Sequence, residues 1–152
     1  MDTSPLLLLY LGLHAPQQIE RFSRTRSEGF TRKDYEFILD FAGGFDRLIT
    51  TPHILTEVSN FLGQLHGYVR DGCFEAFARH VAEESTNEHS PPAVALAAKA
   101  DFVPFGITDT SIAEVAAERY LVLTTDARLN THLVRLGVAS LNYNNFRLLL
   151  PE

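Results

Sequence analysis

One cysteine is too few for an internal disulfide or a Cys-based zinc site, so Cys73 reads as a small core residue in a reducing, cytoplasmic setting. The six histidines, His14, His53, His66, His80, His89 and His132, lack the close pairing that a zinc site or a histidine-based nuclease needs. No apolar run approaches the ~20 residues that cross a bilayer. The stretch from Leu6 to Leu9, continuing through Tyr10 to Leu13, is too short and has no basic start of the kind that secretory signals carry. It is expected as a buried helix of a soluble protein with no membrane partner. Repeats, long low-complexity tracts and linkers are missing too, so residues 1–152 are expected to form a single domain.

There is also no basic excess. A formal net charge of −6 argues against a general nucleic-acid-coating protein, which is normally basic. It does not exclude a metal-dependent nuclease, whose site concentrates carboxylates and whose bound cations reverse the local sign. The basic residues are unevenly spread: Arg21, Arg24, Arg26, Arg32 and Lys33 fall in one short stretch. They are candidates for phosphate contacts with RNA, the alternative being a solvated helix-loop-helix surface.

What is present is an alternation of helical and strand signals. Ser4-Pro5 opens the first helix, serine as N-cap and proline at the first helical position. A second helix is expected from Arg32 or Lys33 to Ala42, ended by Gly43-Gly44. Arg47 to Thr51 reads as a short buried strand closed by Pro52. The helix from Pro52 to Leu65 follows, with Ile54, Val58, Phe61, Leu62 and Leu65 on one stripe. Further helices are expected from Cys73 to Glu84, over Ala93 to Ala100, from near Thr110, and from Ala127 to Leu136 with Gly137 as the stop. Ser85 to Pro92 reads as a polar break. Tyr120 to Thr125 is a continuous apolar strand, and Val138 to Leu141 a last one. Such a rhythm implies an α/β layer fold with right-handed crossovers.

Acidic residues stand at the ends of these elements. Asp126 directly follows a strand and precedes a helix, which puts it at the crevice where open parallel sheets bind ligands. Asp109 lies at a loop-to-helix junction, and Asp2 just ahead of the first helix. Glu57 sits beside the apolar stripe of its helix, where a carboxylate is costly without a partner. Each has a structural alternative. Asp109 and Asp126 are good N-caps, Asp2 is close to a chain end, and Glu57 borders the surface.

The words around the acids resemble those of PIN-domain nucleases. Asp2-Thr3-Ser4-Pro5-Leu6-Leu7-Leu8-Leu9-Tyr10 is similar to the family's opening, and Thr51-Pro52-His53-Ile54-Leu55-Thr56-Glu57-Val58-Ser59 to its second acidic motif. Phe105-Gly106-Ile107-Thr108-Asp109-Thr110-Ser111-Ile112 resembles the third motif. Leu123-Thr124-Thr125-Asp126-Ala127-Arg128-Leu129 resembles the fourth, and Gly137-Val138 leads into the final strand. The likeness runs in order along essentially the whole chain. It implies a three-layer α/β/α sandwich with a central parallel sheet and a divalent-metal phosphodiesterase that cuts RNA.

By that resemblance Asp2, Glu57, Asp109 and Asp126 hold one or two Mg²⁺ or Mn²⁺ ions, and Thr125 helps position the metal or its water. Asn60, one turn beyond Glu57 and rotated towards solvent, would stand behind that shell. In-line attack by metal-activated water would leave 5′-phosphate and 3′-hydroxyl ends. The chain would be a free-standing RNase or the toxin of a toxin–antitoxin pair, restrained by an antitoxin protein near its acidic cleft; relatives of this kind often form homodimers. Two other readings remain open: a catalytically inactive PIN fold serving as a binding module, and a structure-specific DNA nuclease. The chain has no room for the large helical insertions that the last normally carries.

One departure stands out. The family's first acid ends a central strand, yet only Met1 precedes Asp2. A start upstream of Met1 is the expectation; otherwise the first strand is truncated or absent, and Asp2 would be loosely held.

Overall fold

The computed structural model describes residues 1–25, 29–83 and 86–147, with backbone alone for residues 23–25. It is an α/β protein, mostly helical, with strands of three residues each. In chain order the elements are α1 (Thr3–His14), a 3₁₀ turn (Pro16–Gln18), α2 (Ile19–Thr25), α3 (Arg32–Gly43), β1 (Leu48–Thr50), α4 (Pro52–Leu62) and α5 (Gly67–Val81). They continue as β2 (Thr86–Glu88), α6 (Ala93–Ala97), α7 (Phe102–Ala116), β3 (Val122–Thr124), α8 (Ala127–Arg135), β4 (Ser140–Asn142) and α9 (Tyr143–Arg147). Among the described residues no helix is long and apolar enough to cross a membrane.

The chain divides into two compact units. One, here the sheet unit, comprises Met1–Thr3, Ile49–Thr56 and Glu88–Glu152; the other, the helical unit, comprises Ser4–Leu48 and Glu57–Asn87.

In the helical unit α1 is buried at every position from Leu6 to Leu11. A helix apolar on all sides has to be enclosed, and burying each leucine contributes about 1.5–3 kcal/mol. Small residues let neighbouring helices come close. The space that a Cβ at Gly12 would need is filled by the Tyr35 ring of α3, and at Gly72 of α5 by the His14 ring. Tyr10 meets Phe77 and His80 of α5 edge-on, with ring centroids 5.1 and 5.4 Å apart. The α3 helix starts at a capping box. Thr31 accepts from the Asp34 N–H, and the Asp34 carboxylate accepts from the Thr31 N–H at 2.6 Å.

In the sheet unit β3 and β4 run parallel, with Leu123 opposite Leu141 and Thr124 opposite Asn142. All three residues of β3 are buried, as expected of a parallel strand covered on both faces. Helix α8 packs on this pair and buries Leu129 and Leu133, which are one turn apart. It ends where Gly137, at φ 75°, turns the chain: the Gly137 N–H bonds to the Val134 carbonyl and the Val138 N–H to that of Leu133. This is the Schellman closure that glycine permits.

Several expectations shift. Strands β3 and β4 form one two-stranded sheet, and β1 pairs with β2 in another. The β2 strand lies inside Ser85–Pro92, read from sequence as a polar break, because a polar Thr-Asn-Glu strand has no apolar signature. Helix α5 starts at Gly67, well before Cys73, and α9 was not expected. Helix α1 begins at Thr3, ahead of Ser4-Pro5, since a proline in the first turn removes no helical hydrogen bond. Helix α7 begins at Phe102 and is broken at Gly106, whose φ of 76° and ψ of −177° are non-helical.

Candidate functional site

Asp2 is firmly held, contrary to the loose attachment expected if no strand preceded it. Successive peptide groups of a strand point to opposite edges. The Val122 N–H bonds to the Ala139 carbonyl on the β4 side, while the Leu123 carbonyl accepts from the Asp2 N–H at 2.9 Å. A single peptide group thus sits beside β3. The Asp2 side chain, 9% exposed, is fixed as well: Oδ1 accepts from the Thr3 N–H and Oδ2 from the Thr124 hydroxyl, both at 2.6 Å. Burial holds the amino group of Met1 below its usual range, and the charge of Asp2 partly offsets this.

The Thr124 hydroxyl has a second role. It accepts from the Asp126 N–H at 3.0 Å, so one side chain ties the first acid to the fourth. Asp126 is the N-cap of α8, as its alternative reading foresaw. Its Oδ1 accepts from the N–H groups of Arg128 and Leu129 at 2.6 and 3.0 Å, which leaves Oδ2 outside these bonds at an exposed position. Thr125, the residue singled out from sequence, contributes its backbone carbonyl, which accepts from Asn144 Nδ2 at 2.9 Å. Asn142, buried at the end of β4, accepts from the Asn144 N–H. The carboxyl ends of both parallel strands therefore carry linked polar side chains.

A parallel arrangement surrounds Asp109. It is half-buried in the first turn after the Gly106 break, where the helix dipole favours a carboxylate. The Thr110 hydroxyl donates to the Gly106 carbonyl and the Ser111 hydroxyl to that of Thr108. Ser111 Oγ also lies 3.1 Å from Thr51 Oγ1, which accepts from the Ile54 N–H and so caps α4. The end of β1 is thereby joined to the Asp109 turn.

Glu57 is half-buried on α4 between the buried Ile54 and Val58, as the helical spacing predicted, and belongs to the helical unit. Asn60 is exposed. Of the basic stretch, Arg21 is exposed and Arg32 is ion-paired with Glu36 at 2.9 Å one turn on. The side chain of Arg24 and the whole of Arg26 lie outside the described residues, and Lys33 is exposed on α3. Cys73 is buried, and burial pushes its thiol up to about 11, in keeping with a core role.

Carboxylate oxygens are the hard donors that Mg²⁺ and Mn²⁺ prefer, so Asp2, Asp109 and Asp126 fit by type. Their placement is less complete: among the described residues no three His, Cys, Asp or Glu side chains group so as to hold a metal ion. The residues that sequence reasoning missed are Thr124, Ser111 and Asn142. Thr124 closes an apolar run, whereas Ser111 and Asn142 stand among other polar residues and carry no such signal. Compared with family models, curated proteins and solved structures, the chain matches none.

Proposed function

We propose that the chain is a divalent-metal-dependent endoribonuclease on a PIN-like α/β/α plan. The observation that carries this reading is the Thr124 hydroxyl, which donates to Asp2 and accepts from the Asp126 backbone. The carboxylate of the first motif and the backbone of the last are thus linked through one hydroxyl at the carboxyl end of β3, the kind of place where α/β proteins bind ligands. Asp126, with Oδ2 outside its capping bonds, and Asp109, in a first helical turn, would hold Mg²⁺ or Mn²⁺ together with Asp2. The role of Glu57 rests on its motif. When bound, the metal neutralises phosphate charge and lowers the pKa of water. The protein's own part is to fix the carboxylates: Thr124 locks the Asp2 rotamer, and the α8 cap locks that of Asp126. The substrate would be RNA, and as a toxin the chain would be restrained by an antitoxin protein.

The test is cleavage of a labelled RNA with Mg²⁺ or Mn²⁺. Asp126→Asn and Asp109→Asn should each lower the metal-dependent rate by about 100-fold or more, the scale of losing an electrostatic group at a reacting centre. Metal-dependent cleavage that survives both substitutions would overturn the assignment.

A second reading is a non-catalytic binding module on the same fold. It is favoured by the structural work these carboxylates already do: both Asp2 oxygens accept hydrogen bonds, and Asp126 Oδ1 caps a helix. RNA binding without cleavage under any of these conditions would select it.

A further inference from the structure

Helix α8 carries, one turn apart, two side chains that meet the same ring of α7. The guanidinium of Arg128 lies over Phe105, 4.8 Å from the ring centroid. The imidazole of His132 stacks on Phe105, with centroids 4.3 Å apart and planes inclined by 25°. His132 Nε2 in turn lies 3.3 Å from Asp101 Oδ2 at the far end of the group, without hydrogen-bond geometry. Phe105 and His132 are half-buried and Arg128 is exposed. The backbone N–H of Arg128 is bonded to Asp126 Oδ1, so the cation starts within the same helical turn as that acid.

Among the described residues no carboxylate pairs with Arg128, which meets Phe105 through its guanidinium and Asp126 through its backbone N–H. Three other cations are paired with acids: Arg32 with Glu36, Arg70 with Asp71 and Lys99 with Glu114. An unpaired guanidinium keeps its N–H fork available for an anion, and that fork matches phosphate oxygens. The aromatic support restricts the side chain beforehand, so less conformational freedom is lost on binding. A cation–π contact at an exposed site contributes only ~0.5–1 kcal/mol, too little by itself to account for the whole assembly.

We propose that Arg128, steadied by Phe105 and His132, binds a phosphate of single-stranded RNA beside the Asp126 carboxylate. This rests on the nuclease reading for the identity of the anion. Arg128 is then a positioning residue: it holds the chain near the acids, which would otherwise repel it.

The experiment measures binding of a fluorescent single-stranded oligoribonucleotide across a salt series, in the absence of divalent metal, together with Mn²⁺-dependent cleavage. Arg128→Gln, which keeps the stem on Phe105, should weaken binding about tenfold. It should also reduce the slope of log affinity against log salt by about 0.7, the value of one phosphate contact to a single strand. Arg128→Lys should restore the slope and only part of the affinity. Phe105→Leu should weaken binding by a smaller factor at unchanged slope. Unchanged affinity and slope in Arg128→Gln would overturn the inference even if the wild type cleaves RNA. A wild type that binds without cleaving would remove the nuclease reading, while the Arg128→Gln comparison would still decide this one. Failure of the wild type to bind RNA at all would overturn it.

Discussion

The helical unit and the sheet unit bury different things. The first encloses α1 from Leu6 to Leu11, with Cys73, Val69 and Ile38, and its one buried charged or polar residue among those described is Asp34, satisfied in a capping box. The second buries Asp2, Thr3, Thr50, Thr51, Thr110, Ser111, Thr124 and Asn142. A buried hydroxyl costs free energy unless it is hydrogen-bonded, so a cluster of them is a poor way to gain stability. It is a good way to fix positions, because each bond has a direction that apolar contact lacks. The helical unit therefore reads as the stabilising part, and the sheet unit as the part that sets geometry.

The contrast can be broken in three places. The largest effect on stability is expected in the apolar unit. Leu11→Ala should destabilise the protein by about 2–5 kcal/mol, read as a lowered urea midpoint, since it opens a cavity in a fully enclosed helix. A loss below 1 kcal/mol would mean that α1 is not the core of its unit.

Next comes a matched pair in the sheet unit. Thr124 and Thr50 are both fully buried, but the Thr124 hydroxyl makes two hydrogen bonds while Thr50 Oγ1 has no hydrogen-bond partner among the described residues. Thr124→Val should cost about 1–3 kcal/mol, because it removes the hydrogen bonds that the hydroxyl makes with Asp2 Oδ2 and the Asp126 N–H. Thr50→Val should be neutral or stabilising in the same unfolding assay. Equal effects from the two would show that burial alone, and not the bonded network, matters there.

The smallest effect appears only in alkali. Burial raises both Cys73, from 9.0 to about 11, and Tyr10, above its ordinary 10.0. Glu83 adds to the rise at Tyr10. Above pH ~9 the unfolded chain releases these protons while the folded chain keeps them, so stability falls as pH rises. Both groups are in the helical unit. Tyr10→Phe combined with Cys73→Ala should flatten the dependence of the unfolding midpoint between pH 9 and 11. A slope unchanged in the double variant would place the sensitivity elsewhere.

Legibility in the sequence followed the same division. Helices with a strong apolar stripe or a clear stop, α1, α3, α4 and α8, were readable within a few residues because periodicity and glycine stops are local signals. So was the place of Asp126, just beyond an apolar strand and at the start of α8. Which strand pairs with which was not readable: three-residue strands carry little pattern, and β2 is polar throughout. The Thr124 bridge spans 122 positions, and nothing local to either end announces it. A threonine at the end of an apolar run looks like ordinary strand propensity until its partner is known.

Gly106 has a wider consequence. In an unbroken helix Phe105 and Asp109, four positions apart, would point the same way. The glycine's φ of 76° and ψ of −177° reset the phase between the two segments, so the ring can turn to α8 while the carboxylate takes its own bearing. Few other residues adopt that backbone, although a Cβ there would meet no neighbour. What the position constrains is angular registration, and a side chain placed there would compromise the direction of two groups that it never touches.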